Sequence, residues 1–151
     1  MPEFETRLTL PQPRDKVFDF LVRTEYLLQL IPPDSQMKVV SVPEILQTGS
    51  RLEFEATAFG QSVKIVHEIT DCVTPHRLTE MQIQGLFKRW QHVHLVEDDG
   101  EGRSVAIDRI EFEPPTGLLG FIVTRQRIVA YLESLFAHRH QLMRKVLGPA
   151  P

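Results

Sequence analysis

Trp90, His92 and His94 occupy alternate positions in the run Arg89-Trp-Gln-His-Val-His-Leu-Val96. On an extended strand, residues two apart leave the same face, about 6–7 Å from one another. An indole and two imidazoles would then form one row. Imidazoles can orient a ligand oxygen, exchange protons near neutral pH or ligate a metal. A second run, Asp108-Arg-Ile-Glu-Phe112, follows the turn signal Asp98-Asp99-Gly100. If the two runs form a hairpin with His94 opposite Asp108, then His92 meets Ile110 and Trp90 meets Phe112. That places a carboxylate beside an imidazole on an apolar wall, and it sends Arg109, Glu111 and Glu113 outward. A one-residue slip would reverse every side chain. Val93 and Leu95, on the opposite parity, keep the reversed face open.

In this register His92, His94 and Asp108 form a polar patch that can hold a ligand oxygen or act as acid and base. Without a ligand they are a satisfied histidine pair. His-x-His is also a metal-ligand spacing, and His67 or Asp108 could add a third ligand, but spacing fixes neither. No metal and no cofactor are therefore expected. His67, flanked by Val63, Ile65 and Ile69 on one parity, reads as a hydrogen-bonded histidine of an inward face. Arg139 falls in line with Leu132, Leu135, Phe136 and Leu142, and Arg125 is similarly placed further upstream. Either could bind a carboxylate ligand, run its stem along the helix to water, or pair with a strand carboxylate. Glu80, Gln82 and Gln84 could face inward and add polar contacts, but their alternation with Met81 and Ile83 more simply makes the polar three the solvent face. Cys72, the one cysteine, has no neighbouring pattern that would activate it, and no Ser/His/Asp triad or glycine-rich phosphate loop is present.

The elements that must position these residues are legible from periodicity. Phe4, Leu8 and Leu10 alternate with charges over 3–10, predicting a half-buried strand that Pro11 and Pro13 end. Val17, Phe18, Leu21 and Val22 then fall at helical spacing, and Thr24 is placed to cap a second short helix that Pro32-Pro33 cannot continue. Strands are predicted over 37–43, 50–59, 62–72, 77–84, 88–97 and 103–112, separated by turn signals such as Gly60-Gln61 and Thr74-Pro75-His76. Leu52, Phe54, Ala56 and Ala58 alternate against Arg51, Glu53, Glu55 and Thr57, as in an antiparallel sheet with one face in water. Leu118 to Leu147 carry apolar residues every three or four positions, predicting one helix of about 30 residues across the sheet.

The chain has 151 residues, 42% of them hydrophobic, and a formal charge of −3, so a continuous core is affordable in one domain and a nucleic-acid footprint is lacking. A single cysteine gives no disulfide framework and fits a cytoplasmic setting. The start Met1-Pro2-Glu3-Phe4-Glu5 lacks secretory character, and no apolar run reaches transmembrane length. Residues 1–147 are read as one domain and 148–151 as a short tail.

A strand, two short helices, six strands and a terminal helix, with Phe87, Trp90, His92, His94, the Asp108–Phe112 run, Pro114 and Gly117, together resemble the SRPBCC superfamily. This START-like or helix-grip group includes polyketide cyclase/dehydrase-like proteins and lipid-transfer domains, and the motifs resemble a branch of small bacterial ligand-binding members. The resemblance implies an α+β fold, a curved seven-stranded antiparallel sheet around a long C-terminal helix, with a cavity between them gated by the short helices and hairpins. Phe54, Ala56, Ile65, Ile110, Phe112, Leu132 and Phe136 are expected to border a space of a few hundred cubic ångströms, with His67, Trp90, His92, His94, Asp108 and Arg139 completing the ligand site. The expected function is binding of a small, mostly apolar molecule such as a polyketide-like aromatic, a quinone or an acyl lipid. A cyclase or dehydratase using His92 or His94 with Asp108 is the enzyme alternative. A protein-interaction module, its partner unspecified, is the third.

Overall fold

Prolines and turn residues divide the chain into short elements, and the computed structural model describes residues 3–32, 35–58 and 61–148 of them. Strand β1 spans Glu3–Leu10, and helices α1 (Arg14–Val22) and α2 (Thr24–Leu30) follow it. Six further strands run as β2 (Met37–Ser41), β3 (Arg51–Ala58), β4 (Gln61–Val73), β5 (Arg77–Gln84), β6 (Arg89–Asp98) and β7 (Ser104–Glu113). Helices α3 (Leu118–Ile122) and α4 (Arg125–Leu147) complete the order. The expected roles of Pro33, Phe59, Gly60 and residues 149–151 lie outside the described residues, as does the side chain of Ala58.

The strands form one seven-stranded antiparallel sheet in the order β1-β7-β6-β5-β4-β3-β2. Consecutive strands from β2 to β7 are neighbours, as short hairpins require. The two short helices instead carry the chain from one sheet edge, β1, to the other, β2. Thr24 does not cap α2 as expected. It is the first residue of that helix, and its hydroxyl donates to the Pro43 and Glu44 carbonyls at 2.6 and 3.0 Å. The contact ties α2 to the segment leading into β3.

The long terminal helix is shorter than its periodicity suggests. Thr124 adopts an extended backbone and its side chain accepts from the Arg127 amide, which starts α4 afresh as a 23-residue helix. An N-cap of this kind satisfies a donor that would otherwise lack a partner at the helix start. The preceding turn, α3, buries none of its residues, and Leu118 and Phe121 stand exposed. Along α4 the buried positions are Ile128, Leu132, Phe136, Arg139, Met143 and Leu147, steps of three or four that lay one stripe on the sheet. No described helix is long and apolar enough to cross a membrane.

Two hydrophobic clusters lie under α4. Leu10, Phe18, Leu52, Ile69, Val96, Ala106, Met143 and Leu147 belong to the larger, which α1 and α2 close. Trp90, Ile110, Phe112, Ile128, Leu132 and Phe136 form the smaller.

Candidate functional site

Strands β6 and β7 pair with His94 opposite Asp108, His92 opposite Ile110 and Trp90 opposite Phe112. Trp90, His92, His94, Asp108 and Arg139 are all buried. Asp108 is the hub of the polar group. Its Oδ1 accepts from His92 Nε2 at 2.8 Å, lies 3.2 Å from His94 Nδ1, and stands 4.0 Å from the Arg139 guanidinium. The shorter bond is thus to His92, diagonal to Asp108 across the ladder. Convergence on one oxygen draws the two rings into a stack with centroids 3.6 Å apart, about half the usual same-face spacing on a strand. Arg139 does not snorkel. It sits on the buried stripe of α4 with an amino nitrogen 3.3 Å from His94 Nδ1, whereas Arg125 is exposed and takes no part.

Glu80 and Gln82 correct the sequence expectation. Glu80 pairs across the ladder with His92, which puts both on one face, and Gln82 shares the parity of Glu80. Both line the cavity described below, while Ile83 is half exposed on the opposite parity. Hydrophobic alternation alone assigned this strand the wrong way round. The readable signal was its pairing with β6: once His92 faces inward, the residue opposite it must as well. Glu80 Oε2 lies 3.1 Å from His67 Nδ1, joining β5 to β4. Gln84 is exposed, as expected.

Burial acts on each of these charges and is outweighed in two of them. It pushes the Asp108 carboxyl up, but Arg139 and the hydrogen bonds from His92 and His94 hold it well below the usual carboxylate range. Burial likewise raises Glu80, and His67 with the two neighbouring imidazoles brings it below its ordinary value. His92 goes the way burial drives it: desolvation, with His94 beside it, overcomes Asp108 and depresses it to about 4. At neutral pH the site therefore holds two carboxylates, one guanidinium and a neutral His92. Burial pushes the Cys72 thiol up, away from nucleophilic chemistry.

A cavity of about 170 Å³ opens between the concave sheet face and the middle of α4, smaller than the few hundred expected. Phe54, Ile65, His67, Trp90, His92, Ile110, Phe136 and Arg139 border it, together with Glu80 and Gln82. Ala56, His94, Asp108, Phe112 and Leu132 do not; they are buried away from its wall. The remaining border comes from Leu27, Leu30, Ile31, Pro32, Ser35 and Met37 near α2, Leu86 and Phe87 between β5 and β6, and Tyr131 and Leu135 on α4. Leu135 stood on the helical stripe already read from the sequence, whereas the loop positions Ile31, Pro32, Ser35, Leu86 and Phe87 show no period that would place them on a cavity wall. Gln82 fixes one of the loops: its Nε2 donates to the Phe87 carbonyl at 2.8 Å, and Phe87 stacks on Trp90 with centroids 4.7 Å apart. Gly85 lets that staple close, since a Cβ there would collide with Gln82 Oε1.

The family model described as Domain of unknown function (DUF8410) matches residues 65–147, which is more than half of the chain and includes β5, β6, β7 and α4. The chain belongs to that family. DUF8410 thus spans most of the site just described. No curated protein matches the chain. Solved structures match over nearly its whole length. A START superfamily protein from Mycobacterium smegmatis is 13% identical with a TM-score of 0.69, covering 95% of this chain and 98% of that one. Norcoclaurine synthase from Thalictrum flavum, in complex with dopamine and hydroxybenzaldehyde, is 12% identical with a TM-score of 0.66, covering 95% and 87%. An HSP90 activator from Plasmodium falciparum is 12% identical with a TM-score of 0.68, covering 97% and 96%. At these identities the likeness is one of fold: this member of DUF8410 has the START-like helix-grip fold.

Proposed function

We propose that the chain binds a small, mostly apolar molecule with one polar end in the cavity between the sheet and α4. The observation that carries this reading is the composition of the wall. Apolar residues from α2, β3, β4, β7 and α4 surround the space, and His67, Glu80, His92 and Arg139 converge at one part of it. A few placed polar groups on an apolar wall are the usual make-up of a ligand pocket. Volume narrows the class. A void of about 150 Å³ accepts benzene, so about 170 Å³ suits a single ring or a short acyl chain better than a fused polyketide or a long lipid. Among structural neighbours, norcoclaurine synthase holds dopamine and hydroxybenzaldehyde, each with one ring. The preferred ligand is a one-ring aromatic, such as a quinone head or an aromatic acid, whose oxygen meets Arg139 or His92.

Binding without turnover is favoured over cyclase or dehydratase chemistry. His92 lines the cavity and is oriented by Asp108 as a general base would be, but a base depressed to about 4 accepts protons weakly near pH 7. The test uses Trp90, the chain's one tryptophan and part of the cavity wall. Chelator-treated protein is titrated with salicylate, a benzoquinone and decanoate while Trp90 emission is followed, and native mass spectrometry looks for a co-purified molecule. A saturable change with a one-ring compound, lost in Ile65→Phe, is expected. No response to any of the three and no co-purified molecule would overturn the reading.

A further inference from the structure

Glu80, His92 and His94 each offer one ligand atom, and the three atoms lie within 4.8 Å of one another. The expectation of no metal rested on the lack of a fixed third ligand, and Glu80 supplies one from a strand that patterning had turned outward. A second observation concerns His94: it is buried, and its Nε2 has no hydrogen-bond partner. Buried polar atoms in folded proteins are nearly always satisfied, so an orphaned imidazole nitrogen beside a carboxylate and a second imidazole asks what completes it.

We propose that Glu80, His92 and His94 form a binding site for a divalent transition ion of the zinc class, with an open coordination position on the cavity side. Two imidazoles and a carboxylate are a ligand set that zinc accepts, and such sites keep a further position for water or substrate. The surrounding groups suit the role. His92 Nε2 donates to Asp108, which leaves its Nδ1 for the ion; His94 Nδ1 lies 3.2 Å from the same carboxylate oxygen and 3.3 Å from the Arg139 guanidinium, and once Nδ1 carries the ring proton the orphaned Nε2 is free for the ion. A carboxylate behind metal-bound imidazoles fixes their tautomers and orientation, and His67 stands in that relation to Glu80. Arg139 neutralises Asp108 from behind, so Glu80 remains to offset the ion. Closing the triangle to the edges of a tetrahedral site, about 3.3–3.6 Å for bonds of roughly 2.0–2.2 Å, takes adjustments of about 1 Å and a splaying of the stacked His92 and His94 rings, since an imidazole nitrogen binds an ion in the plane of its ring. Because Glu80 and His92 line the cavity, the open position faces it. The site stands independently of the organic ligand proposed above.

The test takes untagged full-length protein, strips it with chelator and titrates it with Co²⁺, whose visible absorption reports ligand geometry, then with Zn²⁺ by calorimetry. One equivalent of Co²⁺ with the absorption of a four- or five-coordinate site, displaced by one equivalent of Zn²⁺, is expected. Glu80→Gln, close in shape to the native side chain, should weaken binding at least tenfold, and Asp108→Asn, acting through the imidazoles, about 10–100-fold. His76→Ala, at an exposed histidine on another face, should change nothing. Absence of stoichiometric binding by the wild-type protein would overturn the proposal without recourse to any variant. So would Co²⁺ binding that Glu80→Gln retains or His76→Ala removes. Since the aromatic-ligand titrations are run with chelator present, failure of either proposal is told apart from failure of the other.

Discussion

The two halves of α4 meet the same sheet, yet one contact is solid and the other hollow. Towards its C-terminus, Met143 and Leu147 close on Leu10, Phe18, Leu52, Ile69 and Val96, all apolar and all buried. Towards its middle, Tyr131, Leu135, Phe136 and Arg139 face the cavity, and the sheet opposite presents His67, Glu80, Gln82 and His92. The difference is chemical before it is geometric. Apolar side chains interdigitate to crystal-like density, whereas polar ones hold fixed separations set by hydrogen bonds and leave room between them. In this fold a few polar residues on adjacent strands are enough to keep a space open beside an otherwise dry core.

Core truncation should separate the halves most sharply. Phe18→Ala removes a fully buried ring from the solid end and is expected to cost about 3–5 kcal/mol, and Met143→Ala about 2–4. Leu135→Ala, on the same helix but already beside empty space, loses fewer contacts and should cost about 1 kcal/mol. Urea unfolding with unchanged m-values measures all three. Equal losses at Met143 and Leu135 would mean that the cavity closes in solution.

Acid should act on the polar belt between the clusters. His92 is depressed to about 4 in the folded chain and returns to about 6.5 when unfolded, so below 6.5 the unfolded chain binds the extra proton. The stability is full above that value and falls as pH drops towards 4, by up to about 3 kcal/mol in metal-free protein. Asp108, held well below its ordinary range, then loses its contribution as pH falls further. The groups facing His92 are His94, Asp108 and Glu80, with Arg139 next to Asp108. Denaturation midpoints between pH 7 and pH 4, in chelator, should decline continuously. His92→Phe should flatten that decline, and an unaltered slope would place its origin elsewhere.

A matched pair of enlargements sharpens the comparison at smaller cost. Ile65→Phe points new volume at the cavity and should change stability by less than about 1 kcal/mol while abolishing ligand binding. Val17→Phe, where no exposed surface remains, should cost about 1–3 kcal/mol. A larger loss at Ile65 than at Val17 would contradict the hollow middle.

The strand register and the helix order could be read from the sequence because both follow from period and parity. His94 opposite Asp108 came from the requirement that Ile110 and Phe112 face inward together, and the structure has that register. Glu80 was lost for the same reason that the rest succeeded: reading polar residues as outward holds only where the interior is dry. The break before α4 escaped because Leu118, Phe121 and Ile122 continue the helical period although none of them is buried. Among the cavity-lining residues, apolar and aromatic ones on strands, such as Phe54, Ile65, Trp90 and Ile110, were accessible to reasoning, and those on loops, such as Pro32, Leu86 and Phe87, were not placed on the wall.

A small effect is also expected at the Gln82 staple, and it tests whether the hollow middle has a movable wall. Gln82 Nε2 donates to the Phe87 carbonyl, and its Oε1 accepts from the Phe87 amide at 3.4 Å, so one side chain holds both polar groups of that residue. Phe87 in turn covers Trp90. Gln82→Ala removes the staple where water can replace part of it, and a loss of about 0.5–1.5 kcal/mol is expected. The more telling change is optical and kinetic. With Phe87 released, Trp90 should emit at longer wavelength and become more open to acrylamide quenching, and a one-ring ligand should enter and leave faster with little change in affinity. Nothing comparable should follow from Gln84→Ala, two residues on but exposed. Stopped-flow binding with Trp90 as the reporter resolves the two rates. If Gln82→Ala leaves both the emission and the rates unaltered, Phe87 is held by its stack on Trp90 alone and the loop is no gate.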